Sequence, residues 1–284
     1  MNGTRAALEL LPTGLREKAG REAGPEVEEL RLRLGQPVSY VTGVSERRSC
    51  GPPVRREDLY LLLEKATGAA LHAAAGALEE GYYCKNGVRI GVCGQASGAN
   101  QNREPFRNIT SLSLRIPREC RGILDGVKGK LLSGRLESTL ILAPPGGGKT
   151  TALRELIRLI SQSGIRVGVA DERMELFGGG VFDLGPCTDV LSCQPKARAA
   201  MQLMRAMNPQ VIAMDEIGGE EDAGAVRQLF GCGITLLASI HARDRGDLER
   251  RPACSRLLKE GCFQRLLIVS GSGGNRRYWV EDLG

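Results

Sequence analysis

The sequence contains little of what several common functional sites require. Aromatic residues make up 4% of its 284 residues, histidine occurs only as His72 and His241, and no Cys-x-x-Cys pair is present. A structural zinc site needs clustered cysteine and histidine ligands, so we expect none. Proteins that bind single-stranded nucleic acid commonly stack the bases on aromatic side chains. The scarcity of aromatic residues therefore disfavours that function, and we expect no nucleic-acid partner.

Long apolar runs are absent as well. No run approaches the ~20 residues that are needed to span a bilayer. The first residues, Met1 to Arg5, lead into a polar, charged segment instead of the apolar core of a signal peptide. The nine cysteines are odd in number and scattered, which favours reduced, mostly packed thiols. We therefore expect a cytoplasmic protein and leave open a peripheral position at the membrane.

Positive charge is in modest excess. The formal net charge is +6, and arginines occur in adjacent pairs. The pairs are Arg47-Arg48, Arg55-Arg56, Arg250-Arg251 and Arg276-Arg277. Acidic residues adjoin three of these pairs, so a solvated surface is the favoured interpretation. A patch for nucleic acid or an anionic membrane is the alternative.

The first part of the chain, residues 1–125, predicts a small α+β domain. After helical stretches at its start, the leucines of 29–34 alternate with Arg31 and Arg33. This period of two is typical of a half-buried strand that places both arginines on one face. Further predicted elements are strands at 38–41, 88–92 and 110–116, two helices within 57–80 separated near Gly68, and a loop over 95–107 that Asn108 closes.

The second part, residues 126–284, alternates apolar strands with amphipathic helices. That order is typical of a parallel sheet covered by helices on both faces. A helix is predicted over 195–207 because its apolar residues recur at helical spacing before Asn208-Pro209 ends it. The predicted strands are 139–143, 167–170, 211–214, 234–240 and 266–269, followed by a hairpin with 271–275 as its turn and 277–280 as its second strand.

The segment after the first of these strands has the composition of a phosphate-binding loop. Its glycines allow successive backbone N–H groups to turn toward a phosphate. Lys149 can place its ammonium on the β- and γ-phosphates, Thr150 can offer its hydroxyl to Mg²⁺, and the next helix adds the positive end of its dipole. The predicted nucleotide-binding residues are Ala143, Pro144, Pro145, Gly146, Gly147, Gly148, Lys149, Thr150 and Thr151. We therefore predict that the chain binds a nucleoside triphosphate.

The loop departs from the strict pattern at one position. Ala143 stands where the first glycine is expected, and alanine is the smallest available replacement. A chance glycine-rich turn is the alternative interpretation. The apolar strand at 139–143 argues against it, as does the apolar helix face that follows the loop. That face consists of Leu153, Leu156, Ile157 and Ile160.

Two carboxylates end a later apolar strand. Asp215 and Glu216 follow residues 211–214. A strand end beside the phosphate loop would place Asp215 where it can hold Mg²⁺, directly or through water. Glu216 would then orient or deprotonate the attacking water. The alternative is an ordinary strand end with solvated acids, which the phosphate loop in the same region disfavours.

Two further strand ends carry polar candidates whose roles stay open. Asp171 or Glu172 could support the attacking water or the metal, and Arg173 could reach a phosphate; a structural salt bridge would explain the same residues. His241 could bind the γ-phosphate or report its loss to a neighbouring element. A histidine that is merely packed is the alternative.

Several motifs together resemble one known family. They are 143–151 (Ala-Pro-Pro-Gly-Gly-Gly-Lys-Thr-Thr), 169–175, 188–197 and 215–222, with 28–38 and 86–94 nearer the start of the chain. This combination resembles the stage III sporulation protein AA family over nearly the whole chain. That family is similar to the ATPases of type II and type IV secretion systems, in which the counterparts of 171–175 and 236–241 are the acidic and histidine boxes.

The resemblance implies a RecA-like ATPase domain of the P-loop type at 126–284, preceded by the smaller α+β domain. It implies ATP and Mg²⁺ as cofactors and a homo-hexamer in the mother cell of an endospore-forming bacterium. The partners would be membrane proteins of a secretion-like channel that joins mother cell and forespore. In such rings an arginine of a neighbouring subunit often stabilises the transition state. Arg115 and Arg118 are our candidates for that arginine.

The sequence departs from the family pattern in two places. Cys187 stands where the family usually has arginine, so a phosphate or subunit contact is missing. Gly218-Gly219 stands where secretion ATPases carry Arg-Asp, which changes how neighbouring subunits could signal. The favoured function is an ATP-hydrolysing motor or assembly ATPase. The alternatives are a nucleic-acid-binding ATPase and a nucleotide-gated structural subunit that turns over ATP rarely.

Overall fold

The computed structural model describes two compact units. The described residues are 3–43, 45–68, 81–96, 106–271 and 275–283. The first unit comprises Met1–Arg118 together with Gly178–Phe182, and the second comprises Glu119–Phe177 together with Asp183–Gly284. The division into domains at 1–125 and 126–284 stays a prediction.

The first unit contains a six-stranded antiparallel sheet with helices. Its strands, in the order β3-β2-β1-β6-β5-β4, are paired antiparallel throughout. The strands are β1 Glu29–Arg33, β2 Pro37–Thr42, β3 Ser45–Pro53, β4 Tyr82–Lys85, β5 Val88–Ala96 and β6 Phe106–Arg115. The helices within its described residues are α1 Gly3–Leu10, α2 Thr13–Glu22 and α3 Arg56–Thr67.

Alternation in β1 and β6 sets the core of this unit. Leu30 and Leu32 are fully buried and pair with Leu114 and Leu112 of β6, whereas Arg31 is only partly buried on the other face. The predicted half-buried strand is therefore confirmed. The first predicted helix is confirmed as α3, which ends at Thr67 and is followed by Gly68 with a left-handed φ of 64°. The second predicted helix, at 69–80, lies outside the described residues.

Two predictions for this unit are wrong. The loop over 95–107 is shorter than predicted, because β5 continues to Ala96 and β6 already begins at Phe106. Asn108 lies inside β6 and does not close the loop; it takes a φ of 48° and its amide donates to Gln95. Residues 97–105 lie outside the described part of the chain. Strand β3 was not predicted, because its residues are mostly exposed and show no apolar alternation. Strand β4 was not predicted either, and its four residues are all only partly buried.

The second unit is built around a seven-stranded sheet. Its strands are β7 Thr139–Ala143, β8 Val167–Asp171, β9 Thr188–Ser192, β10 Val211–Met214, β11 Thr235–His241, β12 Arg265–Ser270 and β13 Arg277–Asp282. Its helices are α4 Lys128–Leu132, α5 Lys149–Gln162, α6 Lys196–Met207, α7 Glu220–Gly231, α8 Arg245–Glu249 and α9 Pro252–Lys259. The five predicted strands and the helix at 195–207 are confirmed, whereas β9 was not predicted.

The direction and order of the strands place the candidate residues at one end of the sheet. The sheet runs β13-β12-β7-β11-β10-β8-β9, and every pair is parallel except the edge pair β12–β13. The predicted closing hairpin is confirmed by that pair, although 272–274 of its turn lie outside the described residues. Because these parallel strands share their direction, the carboxyl ends of β7, β8, β10 and β11 lie at the same end of the sheet, where α/β proteins commonly bind ligands.

Helices cover both faces of this sheet, as predicted. Ile141, Val169 and Ala213 point to one face and pack with α5, whereas Leu142, Ala170 and Met214 point to the other and pack with α6 and α7. Burial on both faces explains why these strands are continuously apolar and do not alternate. The strands are therefore rigid supports for the polar groups that follow them.

Two further observations concern the chain as a whole. The expectation of mostly packed thiols is wrong, because Cys50, Cys93, Cys120, Cys193 and Cys232 are exposed and only Cys254 and Cys262 are buried. Each cysteine is a free thiol. Within the described ranges, no helix is both long enough and apolar enough to cross a membrane.

Candidate functional site

The segment between β7 and α5 forms a tight glycine loop. Gly146 and Gly148 have positive φ angles of 70° and 99°, which only glycine adopts readily. Gly147 closes the turn by donating its N–H to the Pro144 carbonyl over 2.9 Å, and a Cβ on it would lie 2.8 Å from the Ala143 Cβ. Ala143 itself ends β7 in an extended conformation, so the position of the missing first glycine does not require a left-handed φ.

A continuous chain of hydrogen-bonded polar side chains lies beside this loop, at the carboxyl ends of the parallel strands. Lys149, the first residue of α5, places Nζ 2.8 Å from Nδ1 of His241. Nε2 of His241 lies 2.8 Å from Oε1 of Glu216. The ammonium can only donate and the ionised carboxylate can only accept, so this geometry corresponds to a neutral imidazole that carries its proton on Nε2. The structure thus brings Lys149, His241 and Glu216 together.

A second group of oxygen atoms lies beside this chain. Thr150 donates its hydroxyl to Oδ2 of Asp215 over 2.8 Å. The buried hydroxyl of Ser239 donates to the other oxygen, Oδ1, and fixes the orientation of the carboxylate. A hydroxyl and a carboxylate are the donor set with which proteins hold Mg²⁺ when phosphates and water supply the other ligands. The residues at this point therefore fit the predicted metal.

The end of β10 lies beside the phosphate loop as expected, since Thr150 contacts Asp215, but another strand lies between β10 and β7. β10, which delivers Asp215 and Glu216, does not lie beside β7; β11 lies between them and pairs with both. Consequently His241 at the end of β11 separates the phosphate loop from Glu216. His241, for which a merely packed histidine was the alternative, contacts both Lys149 and Glu216 and so joins the two halves of the candidate site.

Glu216 is held in an unusual backbone conformation. Its φ is 53°, in the left-handed region that non-glycine residues rarely adopt. The Glu216 N–H is shared between Oγ of Ser239 at 3.0 Å and Oδ1 of Asp215 at 3.1 Å, and its carbonyl accepts from Lys196 over 3.3 Å. Such strain persists where surrounding contacts over-determine the backbone, and it concentrates at functional sites.

Burial and the neighbouring polar groups shift two pKa values in the site. Burial raises the pKa of Glu216, but the hydrogen bond from His241 and the charges of Lys149 and Arg173 outweigh it and hold the pKa below its ordinary value. Burial lowers the pKa of Lys149, and the negative charges of Glu216 and Asp215 only partly oppose that shift. A carboxylate that stays ionised and a cation that is costly to bury therefore face each other across His241.

Asp171 has partners that favour a structural role. Its carboxylate is buried and accepts backbone N–H groups of Glu175 at 2.9 Å, Leu176 at 3.1 Å and Phe177 at 2.9 Å. Burial raises its pKa, and these three hydrogen bonds work against the shift. The side chain thus shapes the loop after β8, so its predicted role in supporting water or metal would be indirect.

The residues next to Asp171 connect this loop to Glu216. Nη1 of Arg173 lies 3.2 Å from Oε2 of Glu216, and Glu172 forms a salt bridge of 3.1 Å with Lys196. Both interpretations of these residues thus remain compatible with the structure: they form salt bridges, and one of those bridges contacts the candidate catalytic carboxylate. Glu172, Arg173 and Lys196 line a small cleft that Asp215 and Glu216 also line.

Sequence reasoning missed three contributors to the site. Lys196 was noted only as part of a family motif, Ser239 was treated as part of an apolar strand, and Arg276 was grouped with surface arginine pairs. The guanidinium of Arg276 contacts the carbonyls of Gly146 and Gly147. No local pattern distinguishes these residues, because each acts on a segment that is distant in sequence.

Three other predicted positions lie elsewhere. Arg115 is exposed at the end of β6, and Arg118 contacts Glu28 and the Pro25 carbonyl, both in the first unit. Cys187 immediately precedes β9, so it lies at the start of that strand, at the edge opposite to the strand ends described above. Its N–H donates to Oγ of Ser161 over 2.8 Å. The backbone of an arginine at position 187 would therefore also lie at that opposite end of the sheet.

Comparison with known proteins agrees with this architecture. The family model for sporulation stage III, protein AA matches residues 5–278. Stage III sporulation protein AA of Bacillus subtilis (strain 168) is 34% identical over 265 residues, which are 88% of this chain and 84% of that protein. Protein SEEDLING PLASTID DEVELOPMENT 1 of Arabidopsis thaliana is 25% identical over 265 residues, which are 89% of this chain and 36% of that protein.

Two solved structures share the fold. The ATPase DotB of Legionella pneumophila superimposes with a TM-score of 0.65 at 12% identity, covering 94% of this chain and 77% of that one. The pilus retraction motor PilT with bound ADP gives 0.64 at 19% identity, covering 95% and 82%. These likenesses concern the fold, and they confirm the predicted RecA-like α/β class. Because the family model spans nearly the whole chain, the chain belongs to the sporulation stage III, protein AA family.

Proposed function

We propose that this chain binds ATP together with Mg²⁺ and hydrolyses it to ADP and phosphate. The observation that carries the proposal is the polar chain from Lys149 through His241 to Glu216. It joins a loop suited to phosphate binding to a carboxylate suited to activating water. The Thr150–Asp215 pair lies beside that chain and fits the metal that accompanies a nucleoside triphosphate.

Each residue then has a definite task. Gly146 and Gly148 of the loop offer their backbone N–H groups, whereas Pro144 and Pro145 have none. Lys149 donates to the β- and γ-phosphates once it leaves His241. Mg²⁺, when bound, would neutralise charge on the phosphates, and Thr150 and Asp215 would hold it. Glu216 accepts a proton from, or orients, the attacking water; its lowered pKa keeps it ionised for that task. His241 holds the Glu216 carboxylate in place.

We further propose that hydrolysis drives a motor or assembly step of a secretion-like channel between mother cell and forespore. Family membership supports the link to sporulation, and the folds of an ATPase and a pilus retraction motor support a mechanical role. The active form would be a hexamer at the cytoplasmic face of the membrane. Arg115 or Arg118 of a neighbouring subunit would stabilise the transition state.

Phosphate release from ATP tests the catalytic proposal. Wild type should release phosphate in the presence of Mg²⁺, and Glu216→Gln should release it about 10² to 10⁴ times more slowly while still binding ATP. Glu221→Gln, on the exposed first turn of α7, is the matched control and should keep wild-type turnover. Equal rates in wild type and Glu216→Gln would refute the assignment of Glu216.

Mixing of inactive variants tests the arginine proposal. Lys149→Ala and Arg115→Ala should each be inactive alone, and a mixture should regain activity, because some interfaces would then combine an intact loop with an intact arginine. No recovery with Arg115→Ala or Arg118→Ala would exclude an arginine acting between subunits at these positions.

The number of subunits is tested separately. Measurement of the mass of the assembly in solution with ATP should give six subunits. Stimulation of turnover by nucleic acid would instead favour the nucleic-acid-binding alternative.

A further inference from the structure

Arg276 makes a two-pronged contact with the phosphate loop. Nε of Arg276 donates to the carbonyl of Gly147 over 3.1 Å, and Nη2 donates to the carbonyl of Gly146 over 3.4 Å. The loop and the arginine lie 129 and 130 positions apart in the sequence. A planar guanidinium is suited to such paired acceptors because its donors have a fixed fork geometry. The contact thus joins the closing hairpin directly to the loop.

The hairpin itself brings Arg276 to this point. Arg276 immediately precedes β13, whose first residue, Arg277, pairs with Ser270 at the end of β12. β12 in turn runs parallel to β7, the strand that leads into the loop. The paired residues Ser270 and Arg277 therefore lie at the same end of the sheet as the loop. The pairing of β13 with β12, and of β12 with β7, therefore holds Arg276 near the loop.

The loop is shaped to accept this side chain. A Cβ placed on Gly148 would lie 3.0 Å from Nε of Arg276. Gly148 thus serves two purposes: it adopts a φ of 99°, and it leaves room for the guanidinium. Any larger residue at position 148 would displace Arg276 as well as straining the backbone.

The consequence for the loop follows from the geometry of the peptide bond. The described chain contains no cis peptide bonds, and in a trans peptide the C=O and the N–H point in opposite directions. Holding the carbonyls of Gly146 and Gly147 therefore directs the N–H groups of Gly147 and Gly148 away from Arg276. The first of these closes the turn onto Pro144. The second is directed to the side of the loop opposite the guanidinium.

We propose that Arg276 is a positioning residue that fixes the two peptide planes of the phosphate loop and thereby sets its affinity for the triphosphate. This inference rests on the proposed function. Charge-assisted hydrogen bonds of this kind are stronger than neutral ones. Their loss leaves the loop free to turn its N–H groups away from the phosphates. The effect acts on binding and not on Glu216 or the water that Glu216 activates.

The experiment compares Arg276→Ala, Arg276→Lys and Arg277→Ala with wild type by ATP titration and steady-state turnover. Arg276→Ala should raise Kd and KM about 10-fold or more and change kcat less than about 2-fold. Arg276→Lys should have Kd and KM values between those of wild type and Arg276→Ala, because an ammonium lacks the paired, fixed donors with which a guanidinium binds two carbonyls. Arg277→Ala, one residue along on the exposed start of β13, should behave as wild type. An unchanged Kd in Arg276→Ala, or an equal loss in Arg277→Ala, would overturn the proposal.

Amide hydrogen exchange without nucleotide separates this inference from the proposed function. Exchange at Gly147 and Gly148 should be faster in Arg276→Ala than in wild type, with unchanged thermal unfolding. If wild type fails to bind ATP but this acceleration is seen, the proposed function fails while Arg276 still fixes the loop. If exchange at these amides is unchanged, the role of Arg276 is refuted whether or not ATP binds.

Discussion

The ammonium of Lys149 lies 2.8 Å from Nδ1 of His241. The same ammonium is the group that we assign to the β- and γ-phosphates, so binding of ATP must replace this hydrogen bond. The other nitrogen of His241 contacts Glu216. The exchange of partners at Lys149 therefore changes the surroundings of the catalytic carboxylate, which links nucleotide binding to the activation of water.

Replacement of His241 should separate these two events. His241→Ala removes the partner that orients Glu216, so kcat should fall about 10-fold or more. ATP should bind as tightly as to wild type, or more tightly, because Lys149 no longer has to leave a hydrogen bond. Turnover and ATP titration measure the two quantities. His241→Gln, which keeps a polar side chain, is the control and should retain more activity. A rise in Kd with unchanged kcat would contradict the assignment.

Lys149 should contribute negatively to stability. Its folded-state pKa is lowered by burial, so the ammonium costs free energy in the folded state at every pH below that pKa. Lys149→Met should therefore raise the free energy of unfolding at neutral pH in the absence of nucleotide. As pH rises toward the ordinary lysine pKa of about 10.4, wild type loses the buried charge and the two proteins should converge. Urea denaturation at several pH values measures this; a less stable Lys149→Met at neutral pH would contradict it.

Asp171 should matter for stability more than for chemistry. Asp171→Ala leaves three backbone N–H groups without their acceptor, and each such loss costs about 1–3 kcal/mol. Asp171→Asn keeps one acceptor oxygen and should cost less. The free energies of unfolding of both variants test this ranking. An Asp171→Ala protein of wild-type stability that fails to hydrolyse ATP would favour a direct catalytic role instead.

Lys196 should support Glu216 through the backbone. Its ammonium contacts the Glu216 carbonyl and the carboxylates of Glu172 and Asp222, and so joins α6 to the strained residue after β10. Lys196→Ala should lower kcat about 10-fold while KM stays near the wild-type value. Arg198→Ala, on the exposed side of the same helix, is the matched control. Equal effects of the two substitutions on kcat would show that Lys196 has no specific role.

Much of the fold could be predicted from local patterns. The leucines of β1 alternate because one face is buried, and β7 is continuously apolar because both faces are buried. The missed strands lack such a signal. β3, β4 and β9 are edge strands with few buried side chains, so backbone pairing with β2, β5 and β8 defines them, and pairing leaves no period in the sequence. The predicted loop over 95–107 was too long for a similar reason, since the last residues of β5 and the first residues of β6 show no apolar alternation.

The candidate site could be predicted only in part. Lys149, Thr150, Asp215 and Glu216 were found because each follows a recognisable strand or loop motif, and their mutual contacts follow from the common edge of a parallel sheet. The insertion of β11 between β7 and β10 could not be predicted, because the order of strands depends on packing of the whole sheet. The contact of Arg276 with the loop depends on that same order.

The central claim is that Lys149 and the loop before it bind the phosphates of ATP, and calorimetric titration of ATP with Mg²⁺ tests it most directly. Wild type should bind saturably with one ATP per chain, and Lys149→Ala should bind at least about 100-fold more weakly, the loss expected for a charge-assisted contact in a buried site. Equal binding by the two proteins, or no binding by correctly folded wild type, would contradict the account.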